Sequence, residues 1–110
     1  MSTSEREQVR VLDEDGTVAD GATVPDLDDE ALVEMYRAMR LARHFDGRAV
    51  SLQRQGRMGT YPPLSGQEAA QVGSAMALDE ADWIFPSYRE HAAAYVRGVG
   101  FDQTLRYWMG

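Results

Sequence analysis

The sequence predicts a mostly α chain with a short amino-terminal β-hairpin and one short strand. Three observations carry this. Apolar residues recur at helical spacing from Leu32 to Val50, the pattern Ser-x-x-Glu opens two further stretches at Ser65 and Ser87, and apolar and polar residues alternate around Asp13-Glu14-Asp15-Gly16.

Taken in order, Val9-Arg10-Val11 and Thr17-Val18 are β-prone and flank a turn, which reads as a hairpin that needs a larger body to dock on. Residues 1–27, polar and acidic, form an expected extension, and residues 28–110 the domain portion. Asp28-Asp29-Glu30 offers an N-cap and first-turn acids for a long helix. Leu32, Met35, Tyr36, Met39, Ala42, Ala49 and Val50 fall on its apolar stripe, and Gly56 stops it. Gly56 to Pro63 must be a loop, since two glycines loosen it and two prolines remove amide donors. Ser65-Gly66-Gln67-Glu68 reads as a capping box for a second helix with mostly small side chains. Trp83-Ile84-Phe85 is bulky and β-prone, a short buried strand ended by Pro86. Ser87-Tyr88-Arg89-Glu90 repeats the capping pattern for a third helix that stops at Gly98, and Asp102 begins a fourth through Leu105, Tyr107, Trp108 and Met109.

Composition excludes several functions. A net charge of -7 over 110 residues repels phosphodiester backbones and anionic lipid, so neither nucleic acid nor a membrane is an expected partner. With no cysteine there is no disulfide, thiolate metal site or thiol nucleophile. No apolar run approaches the ~20 residues a membrane helix requires, and Met1 to Arg10 lacks a signal-peptide core, so the expected location is cytoplasmic. All 11 basic residues are arginine, a bias that salt adaptation and a GC-rich genome explain equally well.

The third helix start is where chemistry concentrates. Free amides at a helix N-terminus face an anion, Arg89 adds a planar cationic fork, and Tyr88 contributes a ring and a phenolic donor. Together with Ser87 they make a candidate phosphate or diphosphate site. His91, close to it, is the candidate proton shuttle. His44 and His91 lie in different helices, so no metal site is expected from this chain.

Five blocks in order carry a family resemblance: Met35-Tyr36-Arg37-Ala38-Met39, Arg43-His44-Phe45-Asp46, Leu52 to Arg57, Gly66 to Ala75, and Phe85-Pro86-Ser87-Tyr88-Arg89-Glu90-His91. From about Leu32 to Gly110 the chain resembles the alpha subunit of the pyruvate and branched-chain 2-oxo acid dehydrogenases. That resemblance implies an α/β thiamine-diphosphate-binding fold in the parent and an alpha2-beta2 heterotetramer with a beta subunit. It also implies oxidative decarboxylation of a small 2-oxo acid, with transfer of the acyl group to a lipoyl acyltransferase component. Ser87, Tyr88 and Arg89 are then expected to contact thiamine diphosphate, and Thr60, Tyr61 and Tyr88 to line the substrate pocket. Thr60 stands where many relatives carry an aromatic residue, which leaves the pocket's size preference open. The magnesium ligands are expected downstream of Gly110 and the activating glutamate on the beta subunit. The chain is therefore expected to be too short for a complete enzyme and inactive alone, with no catalytic residue unless His91 serves. Pyruvate, branched-chain 2-oxo acids and acetoin all remain open as substrates. The contrasting expectation is a truncated, non-catalytic assembly module that docks on a beta subunit.

Overall fold

Asp28 opens the helical part of the chain. In the computed structural model, which describes residues 7–110, its carboxylate accepts the Ala31 amide at 2.8 Å and caps α1 (Asp29–Arg54). The expected extension therefore lies outside the described residues at positions 1–6. α1 ends where Gly56 takes a positive φ of 77°, a backbone state that a side chain would strain. Then follow α2 (Glu68–Met76), α3 (His91–Val96) and α4 (Phe101–Met109).

The buried face of α1 is Ala38, Ala42, Phe45, Asp46 and Ala49, spaced at three and four residues. Small alanines here let Leu64, Val72 of α2 and Ala92 of α3 come close, and these form the first core cluster with Met35, Met39, Tyr95 and Phe101 around it. A second cluster joins Phe45 and Ala49 to Met58 and Tyr61, covered by Leu105 and Trp108 of α4. Phe101 belongs to both, stacked on Phe45 at 4.3 Å and on Tyr95 at 4.4 Å. The expected stripe is displaced: Leu32 and Tyr36 are exposed, because the face met by α2 and α3 centres on the alanines.

Two expected β features are absent among the described residues. The turn at Asp13–Gly16 does form, with Gly16 N donating to Asp13 O at 2.9 Å, but it supports one antiparallel bridge, Leu12 to Val18, and no β-hairpin. Val9, Leu12 and Val18 all lie exposed, so nothing apolar holds the two arms together. The run Trp83-Ile84-Phe85 is not a strand either, and no sheet is present to pair it. Far from buried, Trp83 is 82% and Phe85 89% exposed. The described residues are thus helical, not α/β.

The root of that segment is firmly held. Arg97, at the end of α3, donates to the carbonyls of Asp79, Glu80 and Asp82 at 3.1, 3.2 and 2.5 Å, closing the turn that follows α2. No described helix is long and apolar enough to cross a membrane.

Candidate functional site

Neither expected capping box forms; each glutamate and serine takes other partners. Glu68, buried at the start of α2, accepts the Gly66 amide at 2.9 Å with one oxygen and the Arg43 guanidinium with the other. Hydrogen bonding to Arg43 is the largest influence on its carboxyl and, against the cost of burial, holds it below the ordinary range. Ser65 does not cap: its amide donates at 3.2 Å to Asp46.

At the second box the third helix begins at His91, not Ser87. Ser87 Oγ donates to both carboxylate oxygens of Glu90, at 3.0 and 2.9 Å, and the Arg89 amide donates to Glu90 at 3.3 Å. Burial pushes the Glu90 carboxyl up, but these bonds outweigh it and the net shift is downward. The Ala92 amide is taken by buried Gln71, whose Oε1 accepts it at 3.0 Å while its Nε2 donates to Arg89 O at 3.1 Å. Two amides that an anion at this helix start could have used are therefore already partnered inside the chain.

The side chains of this segment divide between two sides. Ser87, Tyr88, Glu90 and His91 line an open groove of about 360 Å³, closed on its far wall by Thr104 and Trp108 of α4. Arg89 turns the other way. Its Nη1 donates to the Pro63 carbonyl, and the guanidinium lies 5.4 Å from the centre of the Tyr88 ring.

His91 is only 6% exposed, and its Nε2 sits 3.1 Å from the Pro62 carbonyl. A carbonyl only accepts, so Nε2 carries the proton and Nδ1 is the free base position. Burial lowers the imidazole pKa, opposed by the Pro62 bond and the nearby carboxylates of Asp46 and Glu90. The ring stacks on Tyr61 at 5.3 Å and meets Trp108 edge-on at 6.1 Å.

Of the two loop residues, Thr60 is exposed and Tyr61 is buried. The Tyr61 hydroxyl donates to Asp46 at 2.8 Å, and burial together with that carboxylate drives its pKa upward, so it stays protonated. Ser87, Tyr88 and His91 thus share one groove, while Tyr61 reaches it through the His91 and Trp108 rings and Thr60 faces solvent.

Sequence reading passed over Asp46, Glu68 and Gln71 as site-building residues. For Asp46 a signal existed: it stands four residues after Ala42 and three before Ala49, an acid on an apolar stripe. Among the described residues no group of three or more His, Asp or Glu is placed to hold a metal ion. The donor set fits an anion at one end, with Arg89 and the Tyr88 phenol nearby, and the acid that lines the groove, Glu90, is already engaged by Ser87. The aromatic wall fits a flat ring.

A helical frame with a cation, a phenol and a neutral imidazole gathered beside an aromatic groove is the kind of surface an enzyme uses to hold a charged organic cofactor or substrate. The model of the dehydrogenase E1 component family matches residues 36–110, and the chain belongs to that family. It is 51% identical over 87 residues to the pyruvate dehydrogenase E1 component subunit alpha of Staphylococcus epidermidis, covering 79% of this chain and 24% of that protein. To the same subunit of Staphylococcus aureus it is 49% identical over 107 residues, 97% of this chain and 29% of that protein. The chain thus spans about a quarter of the length of the curated relatives it matches.

Proposed function

We propose that the chain is part of the alpha subunit of a thiamine-diphosphate-dependent 2-oxo acid dehydrogenase, with pyruvate or a branched-chain 2-oxo acid as substrate. Residues 28–110 are then an amino-terminal helical portion of the cofactor-binding domain. The segment Ser87–Arg89 meets the diphosphate, Arg89 keeping Nη1 on the Pro63 carbonyl and offering its remaining N–H donors to phosphate oxygens. Tyr88 presents its hydroxyl to the same oxygens or its ring to the substrate, and Thr60 and Tyr61 stand on the substrate side. When bound, the cofactor supplies the electron sink that decarboxylation needs. The chain's own residues place it, exclude water with Tyr61 and Trp108, and hold a proton at His91 Nε2. The magnesium ligands, the beta subunit and the lipoyl acyltransferase component all lie outside this chain in the proposed assembly, whose location is the cytoplasm.

The observation that carries this reading is the family match running through Ser87–His91, where the cation and phenol lie together beside an aromatic groove. Calorimetry of the alpha and beta subunits with thiamine diphosphate and magnesium tests it. Arg89→Ala should weaken binding by roughly 10- to 100-fold, the worth of one charge-assisted hydrogen bond. Unchanged affinity would remove Arg89 from the site.

A second reading, a non-catalytic module that docks on a beta subunit, is favoured by the exposure of Trp83 and Phe85. It expects beta-subunit binding that persists with no measurable cofactor affinity.

A further inference from the structure

The Asp46 carboxylate is 2% exposed and sits on the buried face of α1. None of the ion pairs among the described residues includes it. Its charge is met by three donors from one loop: Tyr61 Oη and Leu64 N, each at 2.8 Å from Oδ1, and Ser65 N at 3.2 Å from Oδ2. A buried acid with no salt-bridging partner depends on such donors staying in place, so it selects one conformation of the loop.

Between the held residues 61 and 64 lie Pro62 and Pro63, which have no amide of their own to donate. Their carbonyls accept from other side chains: Pro62 O from His91 Nε2 and Pro63 O from Arg89 Nη1. The loop's donors are held by an acid, and its proline carbonyls hold two basic side chains. The backbone of the basic segment is held separately, through Gln71 on α2.

We propose that Asp46 is a positioning residue for the Arg89 and His91 side chains, acting through the Tyr61–Ser65 loop. The importance of that positioning for binding rests on the cofactor reading given above, but the mechanical link does not. The division of labour makes a specific forecast. Disturbing Asp46 should release the two side chains while the α3 backbone, tied to Gln71, stays put.

The test is nitrogen-15 NMR of the His91 ring and amide exchange in the full chain. In the native protein the ring should show a fixed Nε2–H tautomer with a slowly exchanging ring proton. Asp46→Asn removes the negative charge and keeps one acceptor oxygen, so at least one of the three loop donors is left facing an NH2 group. It should average the two ring nitrogens and speed ring-proton exchange, while the Ala92 amide keeps its protection. Tyr61→Phe, which leaves the carboxylate and both loop amides intact, should produce the same change in smaller degree, and it decides the matter if Asp46→Asn does not fold. A native ring signature in the folded variants overturns the proposal, as does Ala92 losing protection in step with the ring in Tyr61→Phe. Titration with thiamine diphosphate and magnesium in the presence of the beta subunit separates the two ideas. No binding by the native alpha subunit that contains this chain, with the ring still released in the variants, defeats the cofactor reading and supports the link. Native binding that is undiminished in Asp46→Asn overturns the positioning role.

Discussion

The loop Gly59–Ser65 and the segment Trp83–Ser87 are built from similar material, proline beside aromatic and aliphatic residues, yet they end in opposite states. In the first, Tyr61 and Leu64 are buried and three donors, Tyr61 Oη, Leu64 N and Ser65 N, meet Asp46. In the second, Trp83 and Phe85 stack on each other at 6.4 Å and face outward. Apolar content does not separate them. The loop has an acceptor on a neighbouring helix for its backbone donors, which lets it lie against the core; the segment has no such acceptor within the described residues.

The largest consequence should appear at Leu64, which is fully buried between α1, α2 and α3. Leu64→Ala is expected to cost about 2–5 kcal/mol by denaturant unfolding, the usual range for a leucine removed from a closed core. A loss below about 1 kcal/mol would mean that the loop is no better packed than the segment it is compared with.

A smaller effect should follow pH. His91, under this loop, has its imidazole pKa lowered from 6.5 by burial. Above about 6.5 the ring is neutral both folded and unfolded, and stability should be flat. As pH falls below that value the unfolded chain takes up the proton first, so stability should decline until the folded ring protonates as well. The depressed carboxyls of Glu68 and Glu90 add their own losses only further down, below 4.5. Stability measured between pH 7 and 5 should therefore fall toward acid in the native chain and less in His91→Asn; a flat native profile contradicts the burial of this ring.

The smallest effect is expected on the exposed side. Phe85→Ser in the isolated chain should change stability by no more than about 0.5 kcal/mol. If it costs as much as Leu64→Ala, the segment is docked in solution and the contrast disappears. A large loss of beta-subunit binding with unchanged stability would instead assign Phe85 to a contact surface.

What could be read in advance follows from where each residue's partner lies. α1 was legible because its signals are local: Asp28 bonds an amide three residues on, and Gly56 supplies the positive φ that ends it. The hairpin and the strand were not, since β structure is made by neighbours, and Val9 and Phe85 find none among the described residues. The two Ser-x-x-Glu patterns misled for a related reason. Glu68 pairs with Arg43, 25 positions away, and Ser87 Oγ spends itself on the Glu90 carboxylate, so neither serine caps a helix. The grouping of Ser87, Tyr88, Arg89 and His91 was legible from sequence proximity, but the turn of Arg89 toward Pro63 depends on a loop 26 positions earlier. Asp46 carried a local signal, an acid on an apolar stripe, but its three donors come from a loop 15 to 19 positions further on.

Arg97 gives the outward aromatics a different meaning. A guanidinium can bridge several carbonyls at once because its donors spread across a rigid plane, whereas an ammonium on a flexible stem would meet them singly. The peptide just ahead of Trp83 is therefore bolted to the end of α3. Its aromatic rings are displayed from a stiff bracket rather than trailing from a frayed strip.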